Sequence, residues 1–327
     1  SVAATAGRDG RFSLTLRPLQ AGGPYEMQIS ARSGVSVVRD LLVGDVFLCS
    51  GQSNMEMPVD RSQDSYSIYA AADDKLRLLT IPKGTAFLPR TDFATPPAWA
   101  EASPATIGPF SAACFYMGQA LRKASAVPIG VIHSSWGGSR ISAWMGEAGL
   151  RAAGMADSVD ALRLYARDVP TAVAQVSAKW ERWWREQSGT RPGAEPWRTE
   201  AGLAWQPVPR IGAFNRWGVP SLARYVGMLW FRKHVTLTAD QARQEAVLSI
   251  GAVDDADITW VNGKPVGGSS NATSPRRYLL PAGTLIAGDN VILVNDDNVW
   301  AEGGMTGPAE TMRLSFADGT SIPLDQG

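Results

Sequence analysis

Ser53 has the residue type and the neighbours of a nucleophile. The run Cys49-Ser50-Gly51-Gln52-Ser53-Asn54-Met55 closes an apolar stretch with a short glycine-containing turn that can lift Ser53 out of a sheet. A serine at the carboxyl end of a parallel strand stands where open α/β sheets bind ligands, with its hydroxyl facing a substrate. Gly-x-Ser is also an ordinary turn sequence, and Met55 stands where the Gly-x-Ser-x-Gly elbow has its second glycine. A second run, His133-Ser134-Ser135-Trp136-Gly137-Gly138-Ser139-Arg140, follows another apolar segment. Paired glycines after a strand let backbone N–H groups approach a reacting oxygen, as an oxyanion hole requires, and they also make a plain loop. Arg140, beside them, has the chemistry to hold a sugar hydroxyl or a carboxylate, or simply to meet solvent.

Histidine scarcity restricts the choice of base. Only His133 and His234 occur, one at a strand end and one inside a strand, and neither has an aspartate three residues before it. Both read as structural. Asp254, Asp255 and Asp257 do not match EF-hand spacing and read as a turn at a strand start, so no metal is expected. Cys49 and Cys114 lie in apolar surroundings and read as buried free thiols, which leaves the compartment undecided. Asn271-Ala272-Thr273 fits a glycosylation sequon, meaningful only in a eukaryotic secretory pathway.

The elements that position these residues fall into two textures. Phe12, Leu14 and Leu16 alternate, and after Gly22-Gly23-Pro24 so do Tyr25, Met27 and Ile29, which predicts a pair of half-buried strands. Leu41 to Cys49 is nearly continuously apolar and suits a strand covered on both faces of a parallel sheet. Ala113, Met117, Ala120, Leu121 and Ala124 recur at helical spacing behind Ser111 as N-cap, and Pro128 to His133 is a further strand, giving a βαβ order. Val173, Val176, Trp180 and Trp183 share a helical face over 171–187, before a Gly/Pro-rich stretch, Gly189 to Pro196, that reads as a linker. Beyond it, short β-branched runs alternate with turn residues such as Asn262-Gly263 and Asp318-Gly319, which predicts a sandwich.

Composition removes several function classes. The chain has 327 residues, enough for about two domains. Lys+Arg and Asp+Glu are each 31, so no basic excess draws it to nucleic acid. At 45% apolar and 19% charged it is a packed chain, and no stretch approaches the roughly 20 apolar residues of a membrane helix. Twelve tryptophans suit large cores or platforms for sugar rings, with cores the commoner use.

Taken together, the motifs resemble a known family. Gly44 to Glu56 closely resembles the nucleophile block of the sialate O-acetylesterase family of SGNH hydrolases. Phe110-Ser111-Ala112-Ala113, Pro128 to Ile132, Ser135 to Ser139, Ile141 and Ala143-Trp144 are similar to its next landmarks, in order. Leu229 to Lys233, Gly251 to Asp255, Val261 to Lys264 and Gly288 to Ile292 resemble the β-sandwich that several such enzymes carry as an insertion. The resemblance implies an α/β fold, the N-terminal half of a three-layer α/β/α SGNH core with a small N-terminal β segment and an inserted galactose-binding-like jelly roll. The boundaries expected are 1–40 for the β segment, 41–195 for the first part of the core, 196–322 for the sandwich and 323–327 for the return to the core.

It also implies a carbohydrate O-acetylesterase without metal or organic cofactor. Ser53 attacks the acetyl carbonyl, and its own N–H with that of Gly137 or Gly138, Gly137 first, holds the oxyanion. The expected substrate is acetylated plant polysaccharide, xyloglucan or xylan, since the lack of basic excess disfavours anionic sialic acid; sialate deacetylation is the alternative. Such substrates imply a periplasmic or secreted protein. The family's Asp-x-x-His segment and its intermediate Asn block are missing from this sequence. We therefore expect the N-terminal portion of a longer or nicked enzyme, with a C-terminal fragment supplying Asp and His. A non-catalytic carbohydrate-binding protein is the reading from another class.

Overall fold

The computed structural model describes residues 2–62, 65–198 and 203–325. They form a mixed α/β protein with several sheets, divided into two compact units, Ser1–Gly154 and Met155–Gly327.

The first unit opens with a hairpin, β1 (Gly22–Ala31) against β2 (Gly34–Val43), in which Tyr25, Met27 and Ile29 are half-buried as the alternation predicts. The strand expected around Phe12, Leu14 and Leu16 is not formed: β1 and β2 pair only with each other, and these three side chains stay exposed. The apolar run from Leu41 to Cys49 is not one strand but the end of β2 and the start of β3 (Asp45–Gly51), where the Asp45 N–H turns to the Pro128 carbonyl at 3.1 Å. After α1 (Ser53–Glu56) come β4 (Asp73–Thr80), β5 (Ala100–Ala102), α2 (Pro104–Ile107), α3 (Ala112–Ala124), β6 (Ile129–Ser135) and α4 (Glu147–Ala152).

The sheet has the order β3-β6-β4-β5, with β6 parallel to both β3 and β4. Helix α3 starts where Ser111 predicts it, the serine Oγ accepting the Cys114 N–H at 3.2 Å. Its buried face is Ala112, Cys114, Phe115 and Gly118, one step round from the predicted stripe, and Met117 faces out. These residues pack with Leu76, Leu78, Ile129 and Val131 of the sheet.

Two sequence expectations fail here for one reason. Cys49 and Cys114 are not free thiols but a disulfide, because the strand end and the first helical turn stack face to face with their Cα atoms 5.8 Å apart. Helix α3 covers only that face. On the other, Val46 is 59% and Leu48 66% exposed, so β3 is covered on one side among the described residues, not on both.

The second unit begins with α5 (Ala156–Tyr165) and α6 (Val169–Ser188), which Asp168 caps by accepting the Thr171 N–H at 3.1 Å. Then follow β7 (Gly227–Leu237), α7 (Ala239–Ala242), β8 (Ala246–Asp254), β9 (Ala256–Val261), β10 (Lys264–Ser269), β11 (Arg276–Leu280), β12 (Gly288–Asn298), β13 (Gly304–Gly307), β14 (Arg313–Phe316) and β15 (Ser321–Pro323). They make an antiparallel sandwich of two sheets, β10-β9-β12-β7 and β11-β8-β14-β15, with β13 on β8. Alternating side chains such as Phe231, Val235, Ile292 and Val294 from one sheet meet Leu248, Ile250, Leu280 and Leu314 from the other.

The expected boundary at 195/196 lies elsewhere: α5, α6 and the Gly/Pro stretch belong with the sandwich. Nor is Gly189 to Pro196 a linker. Arg185 Nε donates to buried Glu195 at 2.5 Å, and Trp197 stacks on Trp260 with ring centroids 5.2 Å apart. Trp180, Trp184 and Trp230 complete this cluster, and the Trp260 indole N–H donates to Glu181 at 3.0 Å. The face of α6 turned inward is thus Val173, Ser177, Trp180, Glu181 and Trp184, while Val176 and Trp183 are exposed.

Candidate functional site

Sheet register assembles the site. Gly51 of β3 lies opposite Ser135 of β6, and the Trp136 N–H continues the ladder to the Gly51 carbonyl at 3.1 Å. Ser53 and Gly137, each two residues past its strand, therefore emerge side by side at the carboxyl ends of parallel neighbours. On the other side of β6, Thr80 pairs with His133 and the Ile81 N–H reaches the His133 carbonyl at 2.9 Å, which carries Lys83 to the same edge.

Ser53 is exposed, as a nucleophile must be, and its Oγ donates to the Gln52 side-chain oxygen at 2.9 Å. Ser53 and Asn54 occupy the first turn of α1, where backbone N–H groups have no intrahelical partner, and no hydrogen bond is formed by either N–H among the described residues. The glycine loop is held against this turn. A Cβ at Gly137 would come within 2.8 Å of Glu56 Oε2, so the Glu56 side chain would have to shift, and 3.7 Å from Ser53 Cβ; Gly138 has φ +76°, the left-handed conformation that favours glycine.

The first-choice oxyanion donor is engaged. The Gly137 N–H donates to the Glu56 carboxylate, and the Gly138 N–H to Gln52 Oε1 at 3.2 Å. Glu56 is in turn hydrogen-bonded by Lys83, whose ammonium also lies 5.3 Å from the Trp136 ring centroid. The Lys83 hydrogen bond is the main force holding the Glu56 carboxyl below the usual glutamate range; burial opposes it, and the Gly137 N–H reinforces it. Glu56 and Lys83 were missed as site residues. Glu56 carried a signal, since a residue three after Ser53 in a helical turn shares its face; Lys83 carried none.

Each histidine is engaged with a partner other than Ser53. His133 is buried in β6, its Nε2 2.5 Å from Ser135 Oγ, and burial pushes its pKa down, so the ring is neutral at neutral pH. His234 lies in the other unit with Nδ1 2.8 Å from Asp289. Arg140 is exposed beside the loop and makes no side-chain hydrogen bond or ion pair among the described residues. Of the sandwich aspartates, Asp257 accepts from Arg276, Thr259 and Tyr278, and no group of three acidic, histidine or cysteine side chains placed to hold a metal occurs among the described residues.

An exposed serine at the carboxyl end of a parallel sheet, with open N–H groups in its own turn and a glycine loop beside it, can present its hydroxyl and these N–H groups to one bound molecule. The chain is 30% identical to rat sialate O-acetylesterase over 171 residues, 49% of this chain and 32% of the relative. It is 33% identical to the human sialate O-acetylesterase over 156 residues, 44% of this chain and 30% of the relative. Over the matched residues the chain is similar to sialate O-acetylesterases, and the match spans about a third of the length of those curated relatives. No protein-family model matches it. Among solved structures, a carbohydrate acetylesterase from Xanthomonas citri aligns over 97% of this chain and 88% of its own at 21% identity, with a TM-score of 0.43. A β-D-glucuronidase from Dictyoglomus thermophilum aligns over 32% of this chain and 18% of its own at 24% identity, with a TM-score of 0.27.

Proposed function

We propose that this chain carries the nucleophile of a carbohydrate O-acetylesterase. The observation that carries the reading is Ser53, exposed beside Gly137 and Gly138 with unbonded N–H groups in its own turn. In this mechanism Ser53 Oγ attacks the acetyl carbonyl, the sugar hydroxyl leaves, and water releases acetate from the acetyl-enzyme. The Ser53 N–H holds the developing oxyanion. Gly138, held through a 3.2 Å bond to an amide, replaces Gly137 as the preferred second donor, because the Gly137 N–H is committed to a carboxylate.

Asp and His come, on this reading, from a further segment of the same enzyme. The support is that His133 is bonded to Ser135 and His234 to Asp289, and that the match covers a third of the curated relatives. The substrates are acetylated neutral plant glycans, xyloglucan or xylan, supported by equal positive and negative charge; sialate is the alternative, and Arg140 is the residue that would meet its carboxylate. A periplasmic or secreted location fits the Cys49–Cys114 disulfide, since such bonds persist in oxidising compartments.

Acetate release from acetylated xyloglucan, xylan and O-acetylated sialic acid tests this on the purified protein, with intact-mass measurement of every polypeptide present. Ser53→Ala is expected to lower release by about a thousandfold or more while glycan binding persists. Undiminished release by Ser53→Ala removes the nucleophile assignment. Full activity from material whose mass equals this chain alone removes the partner segment. The unserved serine also leaves a non-catalytic carbohydrate-binding reading, which predicts glycan binding and no acetate release from any sample.

A further inference from the structure

The sandwich interior holds a cavity of about 310 Å³, lined from both sheets by buried side chains including Phe231, Ile250, Val294 and Met312. Protein cores rarely keep voids larger than a water molecule, and an empty one costs stability in proportion to its volume. An apolar cavity of about 150 Å³ accommodates benzene, so this one has room for an apolar body of roughly ten to twelve heavy atoms.

Its wall is not apolar throughout. Val208 and Pro209 at the rim are exposed, and four charged residues complete the lining: Arg210, Arg232, Lys233 and Asp325. Arg210 is anchored to the Arg216 carbonyl at 2.5 Å. Arg232, which alternates with Phe231 and Lys233 along β7, turns to the Trp205 ring 4.5 Å away in the tryptophan cluster on the other face, so its guanidinium faces away from the cavity. Lys233 is half-buried and has no ion pair among the described residues. Asp325 presents a buried carboxylate oxygen without a hydrogen-bond partner. Partly satisfied polar groups in an apolar wall are stabilised by whatever supplies the missing partner.

We propose that this cavity binds a small amphiphilic monocarboxylate, its apolar body between the sheets and its carboxylate at Lys233 and Arg210. Two cations, Arg210 and Lys233, against the one carboxylate of Asp325 leave a single positive charge, which favours a singly charged anion over a neutral or cationic head. A dianion is less well matched, because Asp325 already contributes a negative charge to the wall. The site lies wholly in the second unit and is independent of the esterase reading.

Isothermal titration of the intact protein with octanoate, and with octanol as its uncharged counterpart, tests the assignment. Saturable one-to-one binding of octanoate is expected, with octanol at least tenfold weaker. Lys233→Met is expected to weaken octanoate at least tenfold and leave octanol unchanged. Val294→Phe fills the cavity and should abolish both, with circular dichroism reporting whether it remains folded; if it does not, Lys233→Met alone decides. No saturable heat with octanoate, octanol binding as tightly as octanoate, or an unaffected Lys233→Met overturns the proposal.

Discussion

The two units solve the problem of holding a sheet together in opposite ways. The antiparallel sandwich closes on itself: β8 and β12 are buried along most of their length by side chains from within the same unit. The parallel sheet does not, since Phe47 and Cys49 face the core while Val46 and Leu48 are bare. Parallel sheets are normally covered on both faces, so the first unit relies more on what secures its one packed face, including a covalent bond between β3 and α3. Charge follows the same division. The first unit keeps Glu56 and Lys83 near solvent at its site, whereas the second encloses Asp257 with Arg276, and Asp296, away from water.

The largest effect that would sharpen this contrast is loss of the enclosed ion pair. Arg276 donates to Asp257 at 2.7 Å and also to the Val253 and Ser274 carbonyls, so Arg276→Met strands a buried carboxylate. We expect a loss of about 3–5 kcal/mol, confined to the sandwich, in urea titrations followed by tryptophan fluorescence. Next comes the crosslink. Cys49→Ser with Cys114→Ser opens a 65-residue loop, and chain entropy puts the loss at about 4 kcal/mol in the first unit only. Equal destabilisation of both units by reductant would break the comparison.

A smaller effect, of opposite sign, is expected at Asp296. Its carboxyl is fully buried with neither oxygen bonded among the described residues, and burial, aided by Asp254 and Asp257, pushes its pKa up to about 8. The raised value means that the folded state keeps a proton the unfolded state loses above pH 4, so sandwich stability falls as pH rises from about 4 to 8. Asp296→Asn should remove that slope and gain on the order of 2 kcal/mol at pH 7, measured by thermal melts across pH. The smallest stability change is at the site: Lys83→Met breaks a partly exposed pair and should cost under about 1 kcal/mol. It should lower kcat for acetate release up to about tenfold with little change in KM, because Glu56 then holds the Gly137 loop less firmly.

Local order was legible in the chain. The strands of the sandwich, the helix behind Ser111 and the turn that exposes Ser53 follow from alternation, capping and glycine placement, which act over a few residues. Tertiary contact decided the rest. Phe12, Leu14 and Leu16 alternate like a strand but have no ladder to join, and Gly189 to Pro196 has the composition of a linker but folds back to bring Glu195 to Arg185. Cys49 and Cys114 read as separate thiols until β3 and α3 stack, and no spacing in the chain announces that Lys83 meets Glu56 or that Glu56 takes the Gly137 N–H. The disulfide and both Glu56 contacts join residues far apart in sequence. Periodicity and turn chemistry state what a segment prefers by itself, whereas a partner is chosen by register between strands and by the space that packing leaves.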